Sequence, residues 1–307
     1  MSKYINPYTD FGFKKLFGTE ANKDILIDFL NEIVNKEHKI KDLTFNNTEN
    51  FGDLAQDRKA IFDIYCETFS GEKIIIEMQK AKINFFKDRA VFYTTFPIKE
   101  QAEKGNWSFE LRPVYCIAIL DFEFDKGEKR DNYRSDVTLK NQYCEEFFNK
   151  LKYIFIEMPK FNKKENELET HFEKWLYFLK HLADFDSIPA ILKEKVFEKG
   201  FKTAEIAALN KTQHDAYEKN LLQYWEMTSA IDTAFEDGIG QGMEQGIEQG
   251  IEQGIEQGIE QERSMQEELR KLEKLETIRK MLAEGLDIKI ISNISGLSIA
   301  EIEKLKA

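Results

Sequence analysis

Asp63, Glu77 and Gln79 are the residues whose types and spacing could do chemistry. Asp63 lies within Ile61-Phe-Asp-Ile-Tyr-Cys-Glu-Thr-Phe69 and Glu77 within Lys73-Ile-Ile-Ile-Glu-Met-Gln-Lys80, two otherwise apolar runs around Ser70-Gly71. Such runs predict a β-hairpin, apolar on both faces like strands covered by helices on two sides. A charge inside a strand of this kind is costly unless it is paired or holds a cation. Side chains alternate along a strand, so Glu77 and Gln79 share a face and Lys80 takes the other. A two-residue loop sets Asp63 opposite Met78, on the wrong face. A three-residue loop or a bulge sets it opposite Gln79 and brings both carboxylates to one side. A shared site therefore predicts an odd-length connection. Two carboxylates beside a strand carbonyl make a hard-oxygen site suited to Mg2+ or Mn2+. Such an ion can lower the pKa of a bound water and neutralise a phosphate. The competing reading is a structural ion pair of Asp63 and Glu77 with Lys or Arg.

Other elements must position that hairpin. Phe13, Leu16 and Phe17, then Ile25, Leu26, Phe29, Leu30 and Ile33, recur at helical spacing, with Thr19 as a cap of the second helix. A short strand is expected near Ile40 to Phe45, a helix from Phe85 to Glu103, and an apolar strand from Pro113 to Phe122. Tyr153 to Met158 reads as a strand closed by Pro159, and Glu165 to Leu182 as a helix. This mixed order is α/β or α+β. After Asp186 the pattern is helical, with helices expected at Ile188–Leu209 and His214–Phe235.

The chain has 307 residues, 42% apolar, with 25 Phe and 5 Pro, enough to fill a core and to exclude global disorder. No run is long and apolar enough for a membrane span, and the start lacks the apolar stretch of a signal peptide, so a cytoplasmic protein with no membrane partner is expected. Cys66, Cys116 and Cys144 are odd in number and widely spaced, against a disulfide framework or a zinc cluster. His38, His171, His181 and His214 show no metal-ligand spacing, which argues against zinc hydrolase chemistry. No phosphate-cradling or dinucleotide glycine motif occurs. The net charge is −12, but residues 1–160 hold 25 basic and 27 acidic residues, so the first half can still present a basic face.

Asp63, with Glu77-Met78-Gln79 fourteen residues on, resembles the Asp…Glu-x-Lys signature of PD-(D/E)XK nucleases. More narrowly it is similar to the recombination-promoting nuclease/putative transposase branch, where Gln often replaces Lys. Asp10-Phe-Gly-Phe-Lys-Lys-Leu-Phe17 resembles that branch's N-terminal element. Arg89 with Tyr93, Ile156-Glu-Met-Pro-Lys-Phe161 and Lys174-Trp-Leu-Tyr-Phe178 resemble its later parts, and Ala234…Gly238-x-x-x-Gly242 its tail, over roughly residues 4–245. The resemblance implies a restriction-endonuclease-like α/β core, a mixed central sheet flanked by helices, with an all-helical C-terminal extension. It also implies a metal-dependent DNA phosphodiesterase making endonucleolytic cuts. Asp63 and Glu77 would hold Mg2+, or Mn2+, and Gln79 would orient a water without offsetting charge. The missing cation could come from Lys14, Lys80 or Arg89, with Lys14 ranked first because the motif places it on the helix beside the hairpin. Asp10 is a further candidate ligand, or else that helix's N-cap. Glu157 forms a second Glu-Met-x-Lys sequence but reads as structural.

DNA-contact candidates are Lys80, Lys82, Lys87 and Arg89, with Lys126, Lys129, Arg130 and Arg134 in an expected loop. The tail holds Ile-Glu-Gln-Gly repeats, read either as an acidic semi-flexible linker or as a packed, self-associating helix. Glu262 to Ala283 reads as an amphipathic helix. Asp287–Ile294, the turn Ser295-Gly-Leu-Ser298 and Ile299–Leu305 make a small unit, weakly helix-turn-helix-like, expected to cap or oligomerise rather than read DNA. The expected organisation is a nuclease-like core at 1–182, a helical extension at 183–236, the repeats at 237–262 and a helical tail at 263–307. The leading reading is a DNA endonuclease of recombination or genome defence, forming a homodimer because cutting both strands generally needs two sites. Its rival is a catalytically inactive nuclease-fold module that works through its tail. Near-identical repeats also suggest coding DNA prone to length change, which would tune assembly.

Overall fold

A computed structural model of the chain describes residues 2–34, 39–50, 60–103, 105–123 and 132–305. Its two units are Met1–Ile231 and Asp232–Ala307. In the first, α1 (Asp10–Phe17) is opened by Thr9, whose hydroxyl accepts from the Gly12 N–H at 3.0 Å. It buries Phe13, Leu16 and Phe17, and α2 (Lys23–Ile33) buries Ile25, Leu26, Phe29, Leu30 and Ile33. Thr19 does not cap α2. It opens a short 3-10 turn instead, and its hydroxyl is buried with no hydrogen-bond partner among the described residues.

The strands follow as β1 (Leu43–Phe45), β2 (Glu49–Asn50), β3 (Ala60–Ile61), β4 (Ile64–Thr68) and β5 (Lys73–Gln79). Then come α3 (Phe86–Lys99), β6 (Val114–Leu120), β7 (Arg134–Lys140), β8 (Glu146–Glu157), α4 (His171–His181) and α5 (Lys195–Ala204). Six strands form one mixed sheet in the order β1-β4-β5-β6-β8-β7, while β2 and β3 pair separately. The β5, β6 and β8 ladders are parallel and the outer ones antiparallel. This is the α/β restriction-endonuclease-like arrangement expected, helices covering both faces of the sheet.

Alternation assigns the two faces. Ile74, Ile76 and Met78 join the main core with α1, α2, α4 and α5, where Phe17 stacks on Phe29, and Trp175, Phe178 and Phe197 meet edge-on or tilted. On the opposite face Cys116, Ala118, Leu120 and Phe155 lie under Phe86 and Ala90 of α3. Glu77 and Gln79 are on that α3 face. Strand β7 lies where a loop was expected, so Arg134 is a strand residue. Its segment, Arg-Ser-Asp-Val-Thr-Leu-Lys, is mostly exposed and lacks a buried stripe, so only pairing with the long β8 makes it a strand.

The last helix of this unit is the start of α6 (Lys211–Ala283), which continues into the second unit through every repeat. Nothing lies within 4 Å of a Cβ built at Gly238, Gly240, Gly242, Gly246, Gly250, Gly254 or Gly258. The repeats are thus helical and, among the described residues, without a packed neighbour. Further on, Ile278 of α6, Ile291 of α7 (Ile288–Ser295) and Ile302 of α8 (Ile299–Lys304) bury one another in a small core. Asp287 caps α7, Gly296 closes it at φ +70°, and Ser298 with Glu301 forms a capping box on α8.

Candidate active site

The β4–β5 connection has three residues, Phe69, Ser70 and Gly71, between Thr68 and Glu72. The Gly71 N–H donates to Thr68 O and the Thr68 N–H to Glu72 O, each at 2.9 Å. Gly71 sits at φ +85°, the left-handed position this loop length demands. The register pairs Ile64 with Ile76 and Cys66 with Ile74. Continued by one residue, it sets Asp63 across from Glu77, not across from Gln79 as expected. The odd-length connection is present, and the two carboxylates share a side. Asp63 itself stands in a bend just ahead of β4 rather than inside a strand.

The two side chains are tied across the hairpin. The Asp63 N–H donates to Glu77 Oε1 at 3.3 Å, and the Met78 N–H donates to Asp63 Oδ2 at 2.6 Å. Burial pushes the Glu77 carboxyl up to about 8, the charge of Asp63 pushes the same way, and Arg89 opposes both. Asp63 is also raised, by burial first; the Met78 N–H and the charges of Lys14 and Lys80 oppose this, and Asp10 adds to it. Burial therefore disfavours the charged forms of both acids by more than their cationic neighbours restore.

Arg89 of α3 is the cation in contact. Its Nη2 donates to Glu77 Oε2 at 3.2 Å and to Gln79 Oε1 at 3.0 Å. Gln79 Nε2 donates to Ala81 O at 3.0 Å. Lys14, ranked first in sequence, pairs instead with Asp10 at 2.9 Å, one turn along α1. Asp10 is the first residue of α1 and not its cap, which is Thr9. Lys80 takes the face opposite Gln79, as alternation requires, and lies 5.8 Å from the Tyr224 ring centroid. Burial lowers its pKa, against the charges of Asp10 and Asp63. Asp63, at the strand end, feels charges from both faces of the sheet.

Lys82 and Lys87 line a pocket of about 290 Å3 at the start of α3, with Phe85, Phe86 and Phe122. Arg134 is committed to Asp136, at 2.8 and 2.9 Å, and to Ile33 O at 2.8 Å. Lys126, Lys129, Arg130 and His38 lie outside the described residues. Glu157 is buried, and Lys160 lies 2.8 Å from its carboxylate. Sequence reasoning missed Asp121. Its N–H donates to Gln79 O at 2.9 Å, and its carboxylate accepts from the Tyr224 hydroxyl at 3.2 Å. A carboxylate at the end of an apolar strand was the available signal. His214 does have metal-ligand spacing, contrary to expectation: its ring, Asp215 and Glu218 place ligand atoms within 4.8 Å of one another on the outside of α6. His214 is half-buried and the two acids are exposed, on a helical turn far in sequence from the hairpin.

Residues 7–234 match the family model described as PD-(D/E)XK nuclease family transposase. The chain belongs to that family. No curated protein and no solved structure matches it. Membership of the PD-(D/E)XK family makes the fold a nuclease fold and implies phosphodiester hydrolysis. The matched span runs from just before α1 into α6 and stops short of Gly238, so the repeats and the Ile278–Ile302 core lie beyond it. In this structure no helix is long and apolar enough to cross a membrane among the described residues.

Proposed function

We propose that this family member is a Mg2+-dependent DNA endonuclease, with Mn2+ as a substitute. The observation that carries the reading is the direct opposition of Asp63 and Glu77, two carboxylates whose buried charge their neighbours do not offset. Close, hard, anionic oxygens are the donor set such an ion takes, so residues and ion fit. Held by Asp63 and Glu77, the ion would supply Lewis-acid neutralisation of the phosphate and a nucleophile at neutral pH. The chain's own residues would do the rest. Gln79 orients a water through its amide, and Arg89 offers the positive charge that a Lys at Gln79 would have given. Asp10 and Lys14 tune Asp63 from α1, while Lys80, Lys82 and Lys87 hold the DNA backbone, with affinity that falls as salt rises.

The exposed Ile247, Ile251, Ile255 and Ile259 support self-association of the tail and hence a homodimer. Recombination and genome defence are the biological settings that suit such cuts. The test is nicking and linearisation of supercoiled plasmid with Mg2+, with EDTA, and by Asp63→Ala. Metal-dependent cutting that disappears in the variant supports the reading, and cutting that persists in the variant places the activity elsewhere.

One observation favours the rival reading, an inactive nuclease-fold module. The Gln79 amide is already engaged at both ends, by Arg89 and by Ala81 O. Failure of the wild type to cut at low salt with either metal would make that reading the better one.

A further inference from the structure

Both oxygens of Glu77 already accept a hydrogen bond: Oε1 from the Asp63 backbone at 3.3 Å and Oε2 from Arg89 at 3.2 Å. The two donors differ in how easily they can leave. The Asp63 N–H is part of the hairpin and cannot withdraw without opening it. Arg89 is a side chain on α3, about one-third exposed where Glu77 is nearly buried, at 32% and 9%. Its attachment is also a light one. A committed arginine–carboxylate pair usually engages two nitrogens in parallel; here the single Nη2 serves both Glu77 and Gln79.

Arg89 keeps a second contact in the same conformation, one that does not depend on Glu77. Its guanidinium carbon lies 5.0 Å from the centroid of the Tyr93 ring, a favourable seat for a planar cation. Tyr93 is fixed in turn by an edge-on contact with Phe62 at 5.2 Å, the residue before Asp63. A guanidinium and a divalent ion on the same carboxylate repel each other, so each weakens the other's hold on it.

We propose that Arg89 is an exchangeable counter-cation. It holds Glu77 until a divalent ion arrives, yields the carboxylate to that ion, and is then available from the Tyr93 face to the substrate phosphate. The inference rests on the metal site proposed above. It adds that ion and arginine compete for Glu77, and that the charge missing at Gln79 is delivered only once the ion is in place. By linkage, whatever factor the ion loosens Arg89 by, Arg89 weakens the ion by the same factor.

The experiment is a titration of the full chain with Mn2+ in the absence of DNA, following free Mn2+ by electron paramagnetic resonance. Wild type, Arg89→Ala, Arg89→Gln and Glu77→Gln are compared, with plasmid cleavage measured in parallel. Removing the charge at Arg89 is expected to tighten Mn2+ binding about tenfold, while cleavage falls about a hundredfold. Opposite signs in the two readouts mark the exchange. Arg89→Gln removes the charge but keeps a shorter polar side chain and the methylenes that pack on Tyr93, and it carries the same expectation should Arg89→Ala fail to fold. Unchanged or weaker Mn2+ binding in the Arg89 variants would overturn the proposal and make Arg89 a fixed structural partner of Glu77. Tighter binding with undiminished cleavage would overturn the substrate half of it. Glu77→Gln separates the two levels. If it binds Mn2+ like wild type, the ion is not on this hairpin and the site reading itself fails. If it abolishes binding while the Arg89 variants bind as wild type does, only the exchange fails.

Discussion

The backbone N–H of Met78 donates to Asp63 Oδ2 at 2.6 Å, so the strand that carries Glu77 also fixes the carboxylate facing it. Neither acid is placed by its own strand alone. Asp63→Asn should therefore keep the hairpin geometry, since an amide oxygen still accepts from Met78, whereas Asp63→Ala leaves that N–H without its acceptor. Both should lower plasmid cleavage by about a thousandfold, the rate equivalent of several kcal/mol of lost charge stabilisation. Only Asp63→Ala should also lower the melting temperature. Equal melting of the two variants would show that the Met78 bond contributes nothing to the fold.

Glu77 gives the metal-free protein a definite pH response. Its folded-state pKa is raised to about 8, by burial first, so the folded state prefers the protonated acid. This group's contribution to stability is greatest below its unfolded value and is lost as pH rises toward 8. Thermal melts in EDTA should show Glu77→Gln to be more stable than wild type at pH 8.5. The gap should close near pH 5. A variant that is less stable at every pH would contradict the burial of an uncompensated charge.

His171 gives the same sign of pH dependence from a different cause, ion pairing rather than burial. Its Nε2 lies 2.6 Å from Asp28 and its Nδ1 3.2 Å from Glu194. The hydrogen bond to Asp28, then the charges of Asp28, Glu194 and Glu32, raise its pKa against the effect of burial. Stability from this imidazolium is fully present below the unfolded pKa and disappears as pH climbs through the folded one. His171→Gln should be less stable than wild type by about 1 kcal/mol at pH 6, and less so at pH 9, in urea melts. A pH-independent difference would leave packing against Phe197 and Trp175 as the only role.

Gly12 lies between Asp10 and Lys14, and a Cβ there would meet the Asn6 carbonyl oxygen at 2.1 Å. The obstacle is backbone, so it cannot rotate away. Gly12→Ala should destabilise the chain by about 3 kcal/mol and disturb the start of α1. Chemical denaturation reads this directly, and a change under 1 kcal/mol would mean the segment before α1 shifts freely.

The repeat glycines predict the reverse. Each costs a helix about 1 kcal/mol relative to alanine, and a Cβ at Gly246, Gly250, Gly254 or Gly258 meets nothing within 4 Å. Replacing these four with alanine should raise the melting temperature of the tail's helical circular dichroism signal. Loss of helix or of assembly would reveal a partner pressed against the glycine stripe.

Much of this is legible in the sequence. Apolar periodicity located α1, α2, the hairpin, α3 and β6, and the required common side for Asp63 and Glu77 implied an odd connection. Alternation alone could not say which residue Asp63 would face, because that depends on which three residues form the turn. The sequence names both Lys14 and Asp10 for the site, but not their pairing with each other, four residues apart on one helical face, from which both charges still reach Asp63. Arg89 could be named but not placed, since its contacts depend on how Phe86 and Ala90 seat α3 on the sheet. Strand β7 was illegible because its pairing comes from β8, and Asp121 was passed over although it ends an apolar strand as Glu77 nearly does.

The three-residue turn at Phe69–Gly71 also constrains how this gene can change. Losing or gaining one codon there would rotate one strand by half a pleat relative to the other. Asp63 would then aim into the hydrocarbon of Ile74, Ile76 and Met78, while Ile64 and Cys66 turned to the α3 face. Changes of two codons restore the phase. Inheritable length variation in this hairpin should therefore come in even steps, with odd ones recorded only in copies that have lost their chemistry.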